Sequence, residues 1–554
     1  MRITEMRITV AGLVCVIENR PRRTNMITIH TRPVNGRFCR PLRACLKTAW
    51  IGGRSTSQNR SIKKALRLLT AIVLVSVPIK AATPGLPSPE ALLQRHIDAI
   101  GGTAALREVQ SLTFKGEISL PFVKAKAPIE FLFEAPDRFY CMFRYHHAFF
   151  GFLKVPFLAK RQAECGYDGT NGWLVDFESN VEPLHGADEA FFRGLLDKFS
   201  SLCFLRGFPF ARTLGVERFA DRDCYRVVLV FPFGEHAFEF YDAQSGLLAG
   251  AIYPFETDDA LVNVQTTYLD FRRVGQSLKL PFRMECEVGD QHYSIQANEV
   301  RTDITGVRVP ASKLKSAPPP LPLLKPAAFP AREVIERFVT ACGGTEALRK
   351  HTSLKLSGSY GVPGAHGFTN RVEVFAAPTN RFAFTLPIPK GVLREGCDGE
   401  HCWRIEGKEI NLAAGKELAQ KLAERQFLAH LHAPEGFRSL DTVGTITQDG
   451  HDCYELLAVR QSGEVFEEFY DVQTGLLRGR HTTDERTGGT LRLLAAFDDY
   501  RRFGDWMLAS RQSYKLTGGP QVLTITNAQW DIAPGAVFDM PADVKSHLPA
   551  RIAP

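Results

Sequence analysis

The sequence predicts an α+β fold, mainly antiparallel β, that is built twice in one chain. Three observations carry this: an internal repeat, an amphipathic helix at the start of each copy, and long apolar/polar alternation after it. Residues 101–117 (GGTAALREVQSLTFKGE) align without gaps to residues 343–359 (GGTEALRKHTSLKLSGS), with nine of seventeen positions identical. Further blocks follow in the same order. Tyr167-Asp-Gly-Thr-Asn-Gly-Trp173 matches Cys397-Asp-Gly-Glu-His-Cys-Trp403, and Asp223-Cys224-Tyr225 matches Asp452-Cys453-Tyr454. Glu239-Phe240-Tyr241-Asp242 matches Glu468-Phe469-Tyr470-Asp471, and Asp270-Phe271-Arg272-Arg273 matches Asp499-Tyr500-Arg501-Arg502. Ordered self-similarity of this kind marks a duplicated structural unit.

Each copy opens with a helix. Leu92, Leu93, His96, Ile97 and Ile100 recur at helical spacing, as do Val334, Ile335, Phe338, Val339 and Cys342. Ser88 before Pro89 reads as an N-cap and first turn, and Gly101-Gly102 and Gly343-Gly344 supply the left-handed stop. Thr103 and Thr345 are then expected to cap a short second helix. The remainder alternates in runs of five to eight residues between turn signals, as in Tyr225 to Phe231, Phe238 to Tyr241 and Val522 to Trp530. This pattern describes an antiparallel meander. One further helix is expected midway, at Glu189 to Phe199 and again at Lys416 to Leu428.

The order of segments follows: a basic leader over 1–60, a signal peptide over 61–82, a first domain over 84–309, a proline-rich linker over 310–330, a second domain over 331–545 and a tail over 546–554. Within 61–82, Lys63, Lys64 and Arg67 precede an apolar run from Leu68 to Ile79, and Ala81 and Ala82 offer small residues for cleavage. That run is shorter than the ~20 residues a membrane span needs. A signal peptide so far from the start implies an upstream start site or a basic extension. The linker's prolines, among them Pro318-Pro319-Pro320, favour an extended spacer over a packed element.

The net charge of +8 is a property of the leader. Residues 1–60 hold 12 Lys+Arg against 2 Asp+Glu, leaving 56 against 58 for the rest. The near-neutral body lacks the basic field that nucleic-acid binding requires, which excludes that class of partner.

The helix ending in Gly-Gly-Thr, the Tyr-Asp-Gly…Trp strand, the Asp-Cys-Tyr strand, the Tyr-Asp…Ser/Thr-Gly-Leu hairpin and the Asp-Phe/Tyr-Arg-Arg…Gly strand resemble secreted outer-membrane lipoprotein-sorting proteins of the LolA/LolB type. The resemblance covers about residues 88–310 and 330–545. It implies two tandem incomplete β-barrels, each a curved antiparallel sheet wrapped around helices, with an interior able to hold acyl chains. It also implies a bacterial, periplasmic setting. The residues by which such carriers engage their partners have no counterpart that can be placed here, and the tandem arrangement departs from the single-domain pattern.

Standard catalytic motifs are absent: there is no His-Glu-x-x-His, Gly-x-Ser-x-Gly, phosphate-binding Gly-rich loop or Cys-x-x-Cys. No enzymatic role, catalytic residue, cofactor or metal site is expected. Cys397, His401 and Cys402 are a zinc-like trio by residue type, but their counterparts Tyr167, Asn171 and Gly172 are not ligands. A strand-turn disulfide or two free thiols is the plainer account. His430 with His432, and His146 with His147, lack a third donor. Cys224 and Cys453 read as small buried hydrophobes, Asp242 and Asp471 as turn-makers, and the Asp270 and Asp499 blocks as cross-strand pairs.

Phenylalanine is the compositional anomaly, with 39 in the chain and a concentration in the first copy. Phe131, Phe133, Phe191, Phe192, Leu195 and Phe199 are the candidate lining of an apolar groove, expected in the first copy rather than the second. The alternative is that these rings simply fill a core. The functional expectation is therefore a secreted periplasmic carrier-like protein for a lipid, acyl or lipoprotein ligand, with peripheral or no membrane contact. The competing expectation is an interaction scaffold whose half-barrels are self-filled. Ligand identity, oligomeric state and the pairing of the nine body cysteines stay open.

Overall fold

The structure is a computed structural model. It describes residues 4–10, 13–19 and, within 85–548, all but 121–124, 146–160, 177–178, 185, 197–207, 257–260, 276, 290, 307, 328, 362–368, 389–390, 426, 428–435, 485–490, 517–518 and 534. In the leader, β1 (Thr4–Val10) and β2 (Leu13–Asn19) pair only with each other. The segment 61–82, read from the sequence as a signal peptide, lies outside the described residues.

The first half comprises α1 (Pro89–Ala99), α2 (Gly102–Glu108), β3 (Ser111–Leu120), β4 (Ala125–Glu134), β5 (Arg138–Tyr145), β6 (Arg161–Tyr167), β7 (Gly172–Val175), β8 (Val181–Leu184), α3 (Ala187–Leu196), β9 (Phe210–Phe219), β10 (Arg222–Val230), β11 (His236–Asp242), β12 (Leu248–Glu256), β13 (Leu261–Val274), β14 (Leu278–Val288) and β15 (Gln291–Thr302). The second half repeats the series as α4 (Ala331–Ala341), α5 (Thr345–Arg349), β16 (Leu354–Gly361), β17 (Thr369–Ala377), β18 (Arg381–Ile388), β19 (Gly391–Asp398), β20 (Cys402–Glu406), β21 (Glu409–Leu412), α6 (Gly415–Glu424), β22 (Phe437–Gln448), β23 (His451–Arg460), β24 (Val465–Asp471), β25 (Leu477–Asp484), β26 (Leu491–Phe503), β27 (Trp506–Leu516) and β28 (Gly519–Trp530).

Pairing is antiparallel throughout and its order recurs. In the first half the sheet runs from β9 through β15 in sequence, then β3 through β8. In the second it runs from β22 through β28, then β16 through β21. Among the described residues β8 does not pair with β9, nor β21 with β22, so each sheet is open.

The opening helices dock by one device in both halves. Gly101 and Gly343 have φ of 129° and 130°, and a Cβ at either would lie 2.4 Å from a carbonyl oxygen, that of Ser277 or Asp505. Only glycine permits both the backbone and the approach. The next carbonyls back, of Ile100 and Cys342, accept from Lys279 N (2.9 Å) and Met507 N (3.0 Å). Ser88 caps α1 through its Oγ, which accepts from Ala91 N at 3.2 Å. Thr103 and Thr345 do not act as caps: Gly101 and Gly344 occupy those positions, and neither helix has a side-chain cap.

The linker is extended but not a free spacer. Ser312 N donates to Asp168 Oδ2 (3.1 Å), Lys313 pairs with Glu164, Leu324 N donates to Pro232 O (2.7 Å), and Lys325 exchanges two 2.8 Å backbone bonds with Thr445. Leu324 packs against a core that both halves share. On the sheet faces turned away from the helices, Leu214, Phe219, Val228, Val230, Phe238 and Phe240 join Val443, Leu457, Val459 and Val465 in one buried cluster. Strand pairing also crosses between the halves, with Leu261 opposite Arg492 and Val262 opposite Leu491. The proline content explains the linker's lack of regular structure, but its backbone donors still required partners, and a turn aspartate, a turn carbonyl and strand β22 supplied them.

Candidate functional site: the helix-bearing faces

Strand alternation gives every sheet two faces, and the helices lie on one of them. In the first half that face is closed by its own side chains. Phe191 and Phe192 of α3 meet at 5.2 Å between ring centroids, and both meet Phe255 of β12, at 5.4 and 6.4 Å. Phe131 packs on Phe114 at 5.1 Å. Phe131 and Phe133 are 2% and 5% exposed, Phe191 5% and Phe192 0%, whereas a side chain beside an open groove stays accessible to solvent. These four predicted residues therefore meet in one apolar core with Tyr253, Tyr268, Met284 and Tyr293. Leu195 lies on α3; its side chain, and Phe199, His430, His432, His146 and His147, lie outside the described residues.

The same face of the second half has a different composition. Strand register fixes the correspondence: Phe131 opposes Cys141 and Val374 opposes Phe384, so Val374 holds the place of Phe131. By the same rule Leu356 replaces Phe114, Glu395 replaces Cys165, Arg480 replaces Ala251, Gln512 replaces Met284, Tyr514 replaces Cys286 and Gln521 replaces Tyr293. Three rings have become smaller or polar side chains, while Cys141, Cys165, Ala251 and Cys286 have given way to the larger Phe384, Glu395, Arg480 and Tyr514. Leu356, Tyr360, Val374, Phe384 and Tyr514 are only partly buried around a small core of Val372, Leu386, Leu393, Leu523 and Ile525.

Polar groups stand among these apolar side chains. Arg480 donates through Nε to Glu468 Oε1 (2.9 Å), and Tyr470 Oη donates to Glu468 Oε2 (2.7 Å). Burial alone would make Arg480 less basic, but the adjacent Glu468 carboxylate reverses this and holds it charged. Tyr514 Oη donates to Gln512 Oε1 (2.9 Å) and Tyr360 Oη to Gln521. Burial raises the Tyr514 hydroxyl above its ordinary range. Gln420 of α6 donates to Thr483 O of β25 (2.6 Å). The Arg425 guanidinium lies 3.8 Å from the Phe382 ring centroid. Together these groups form a half-open face with an apolar floor and hydrogen-bonding side chains at fixed positions. Such a surface suits an elongated, mostly apolar molecule with a polar end.

The remaining candidates are structural. Cys397 and Cys402, opposite each other on β19 and β20, form a disulfide. Cys224 and Cys453 are buried free thiols, raised by burial to about 11 and about 12. Asp242 Oδ1 accepts from Gln244 N (3.0 Å) and Ser245 N (2.6 Å), and Asp471 Oδ1 from Gln473 N (2.9 Å) and Thr474 N (2.7 Å), as turn-makers do. Asp270 pairs with Arg272 of its own strand at 2.6 Å and Asp499 with Arg501 at 2.6 Å, and Asp499 also accepts across the sheet from Ser510 Oγ of β27 (2.8 Å). Among the described residues no group of three or more His, Cys, Asp or Glu is arranged to hold a metal, and no helix is long and apolar enough to cross a membrane.

Sequence reasoning missed the polar groups of the second half. Their signal was present in the repeat: where a duplicated strand swaps Ala251 for Arg480 or Cys165 for Glu395, the shared face cannot be an equivalent core.

The chain is similar to solved structures over nearly their whole length. A LolA superfamily protein from Nitrosomonas europaea is 12% identical, with 38% of this chain and 99% of that one covered at a TM-score of 0.28. A putative outer membrane lipoprotein-sorting protein domain from Vibrio parahaemolyticus is 10% identical, with 37% and 95% covered at a TM-score of 0.27. The Mycobacterium tuberculosis lipoprotein LppX is 13% identical, with 37% and 96% covered at a TM-score of 0.17. No family model matches the sequence, and no curated protein does.

Proposed function

We propose that this chain is a secreted, non-enzymatic envelope protein that carries an acyl-chain ligand on the helix-bearing face of its second half. The first half, closed by its own rings, serves as the scaffold. One observation carries the reading: positions filled by buried Phe114 and Phe131 in the first half are occupied by the smaller, half-buried Leu356 and Val374 in the second. Rings return at Phe384 and Tyr514, in the places of Cys141 and Cys286, yet these side chains too stay half-buried; an apolar face left so open is either a costly exposure or a place for another molecule. Apolar lining with a few fixed polar groups favours the second outcome. The Gln512–Tyr514 and Arg480–Glu468 groups would meet the polar end of the ligand.

Titration of the full chain with a fluorescent fatty-acid probe tests this. Saturable binding by the parent chain that Val374→Phe abolishes is the expected result. No binding by the parent chain, or binding that Val374→Phe leaves unchanged, would overturn it, as would a bare mass for host-purified protein by native mass spectrometry. Secretion is tested separately by N-terminal sequencing of exported material. A mature end within a few residues of Ala82 is expected, and an intact 1–60 would refute it.

A further inference from the structure

The contact between the halves buries more ionisable groups than it pairs. Glu455 of β23 is 0% exposed, and neither carboxylate oxygen has a hydrogen-bond partner. Its Oε2 lies against the first half, 2.8 Å from where a Cβ on Gly234 would stand. Beside it Glu467 of β24, also 0% exposed, meets His236 Nδ1 through one oxygen, and its other oxygen is unpartnered. The first half contributes Glu235, His236, Arg226 of β10 and Asn263. The second contributes His481 of β25 and Arg492 of β26. Arg492 donates to Glu235 Oε2 (2.6 Å), to Asn263 Oδ1 (2.9 Å) and to the His236 carbonyl, and His481 Nδ1 lies 3.4 Å from Glu235. Arg226 is drawn off to Gly463 O (3.3 Å) and Glu217 (3.4 Å). The rim pairs Arg212–Asp441 and Lys515–Glu256 cross the same interface. Arg492, the buried arginine beside the acids, is thus committed to Glu235, and among the described residues neither Glu455 nor Glu467 is paired with a lysine or arginine.

An ionised carboxylate sealed from water without a charged partner costs several kcal/mol, and His236, which burial keeps neutral, gives Glu467 none, so the closed contact must hold these acids neutral. We propose that the two halves close on each other with protons bound at Glu455 and Glu467, and that their separation releases those protons.

The sign follows from each group. Burial, with Glu467 and Glu235 nearby, raises Glu455 well above the ordinary glutamate range, and burial raises Glu467 to about 8. Each therefore stabilises the closed form fully at low pH and loses that contribution as pH rises. Burial would lower His481, but Glu235 reverses this and raises it, which gives the same sign. Burial lowers His236 well below its ordinary 6.5, so it weakens the closed form only when pH falls below that value. Burial would raise Glu235, but His481 and Arg492 hold it at about 2, so its opposing contribution lies at still lower pH. Between about pH 6.5 and 8 only the groups that open the contact on alkalinisation are titrating.

The test uses the full chain, with small-angle scattering and an inter-half fluorescence pair read from pH 6 to 9 at fixed ionic strength. The open-to-closed ratio should rise about tenfold per pH unit for each proton released, up to that group's closed-state value. Glu455→Gln with Glu467→Gln, neutral and nearly isosteric, should lose most of this pH response, keeping only the part that His481 supplies, with far-UV circular dichroism verifying its fold. Should that variant fail to fold, the parent chain alone decides. A radius of gyration and fluorescence signal that are flat from pH 6 to 9 would overturn the proposal, as would a folded double variant that opens at the parent's pH.

Discussion

The two halves share a strand order, a helix-docking glycine and their aspartate turns, yet one face is a finished core and its counterpart is not. In the first half, α3 supplies Phe191 and Phe192 to a face already lined by Phe131 and Phe255. In the second, α6 supplies Gln420 to a face lined by Arg480, Gln512 and Tyr514. Backbone hydrogen bonding and turn chemistry are indifferent to which side chains fill the interior, so a duplicated sheet survives in both copies. Interior volume and polarity are then free to diverge, and divergence converts a core into a surface.

If the first face is a core, shaving it should cost stability and nothing else. Phe192→Ala removes a fully buried ring in contact with Phe191 and Phe255 and should destabilise by about 3–5 kcal/mol in chemical denaturation. Fatty-acid probe binding should be unchanged. In the second half, Phe384→Ala truncates a half-buried ring, so its stability cost should be less than half as large while probe affinity falls at least about tenfold. Equal stability costs would break the comparison.

Arg480 tests the polar difference. Ala251 occupies its place in the first half, where Glu239 is instead bonded by Tyr241 Oη (2.5 Å) and Tyr253 Oη (2.9 Å). Arg480→Ala would remove the cation beside Glu468, which is 2% exposed, at a cost of about 3 kcal/mol. Without its cation the Glu468 carboxyl should rise above its unfolded value, so the variant should lose stability as pH rises and recover it below about pH 5. A pH-independent deficit would mean that Arg480 acts by packing alone.

A smaller effect is expected from exchanging fillings. Phe131→Val should cost about 2 kcal/mol, because the surrounding core cannot collapse fully. Val374→Phe, which places a ring on a half-open face, should shift stability by less than about 1 kcal/mol while abolishing probe binding.

Much of the architecture was legible in the residues. Helical spacing from Leu92 to Ile100 and from Val334 to Cys342 fell on α1 and α4, and the expected mid-copy helices fell on α3 and α6. These signals are local, because periodicity and turn residues act through neighbours in sequence. What resisted reading was relational. The abundance of phenylalanine cannot distinguish a groove from a filled core, since both need rings facing inward. Only the meeting of Phe191, Phe192 and Phe255 shows the filling. The union of the halves was equally hidden: Leu457 and Val459 alternate like any buried strand, and nothing local says that their partners are Phe238 and Phe240 of the other copy.

The Cys397–Cys402 disulfide is the smallest difference, because it closes a chain segment already closed by β19 and β20. The matching first-half pair, Tyr167 and Gly172, holds the same register without a covalent bond. Both turns use the same aspartate device: Asp168 Oδ1 accepts from Thr170 N and Asn171 N at 2.9 Å, and Asp398 Oδ1 accepts from Glu400 N (3.0 Å) and His401 N (2.8 Å). A cross-link spanning five residues removes little disorder from the unfolded chain, about 2 kcal/mol at most by loop-closure entropy. Cys397→Ser with Cys402→Ser should therefore lower Tm by only a few degrees while leaving probe binding within about twofold. The measurement is a melt of the oxidised parent against the double variant. A large loss would mean that the second half, poorer in core rings, relies on the covalent tie to hold a strand pair that the first half holds by packing alone.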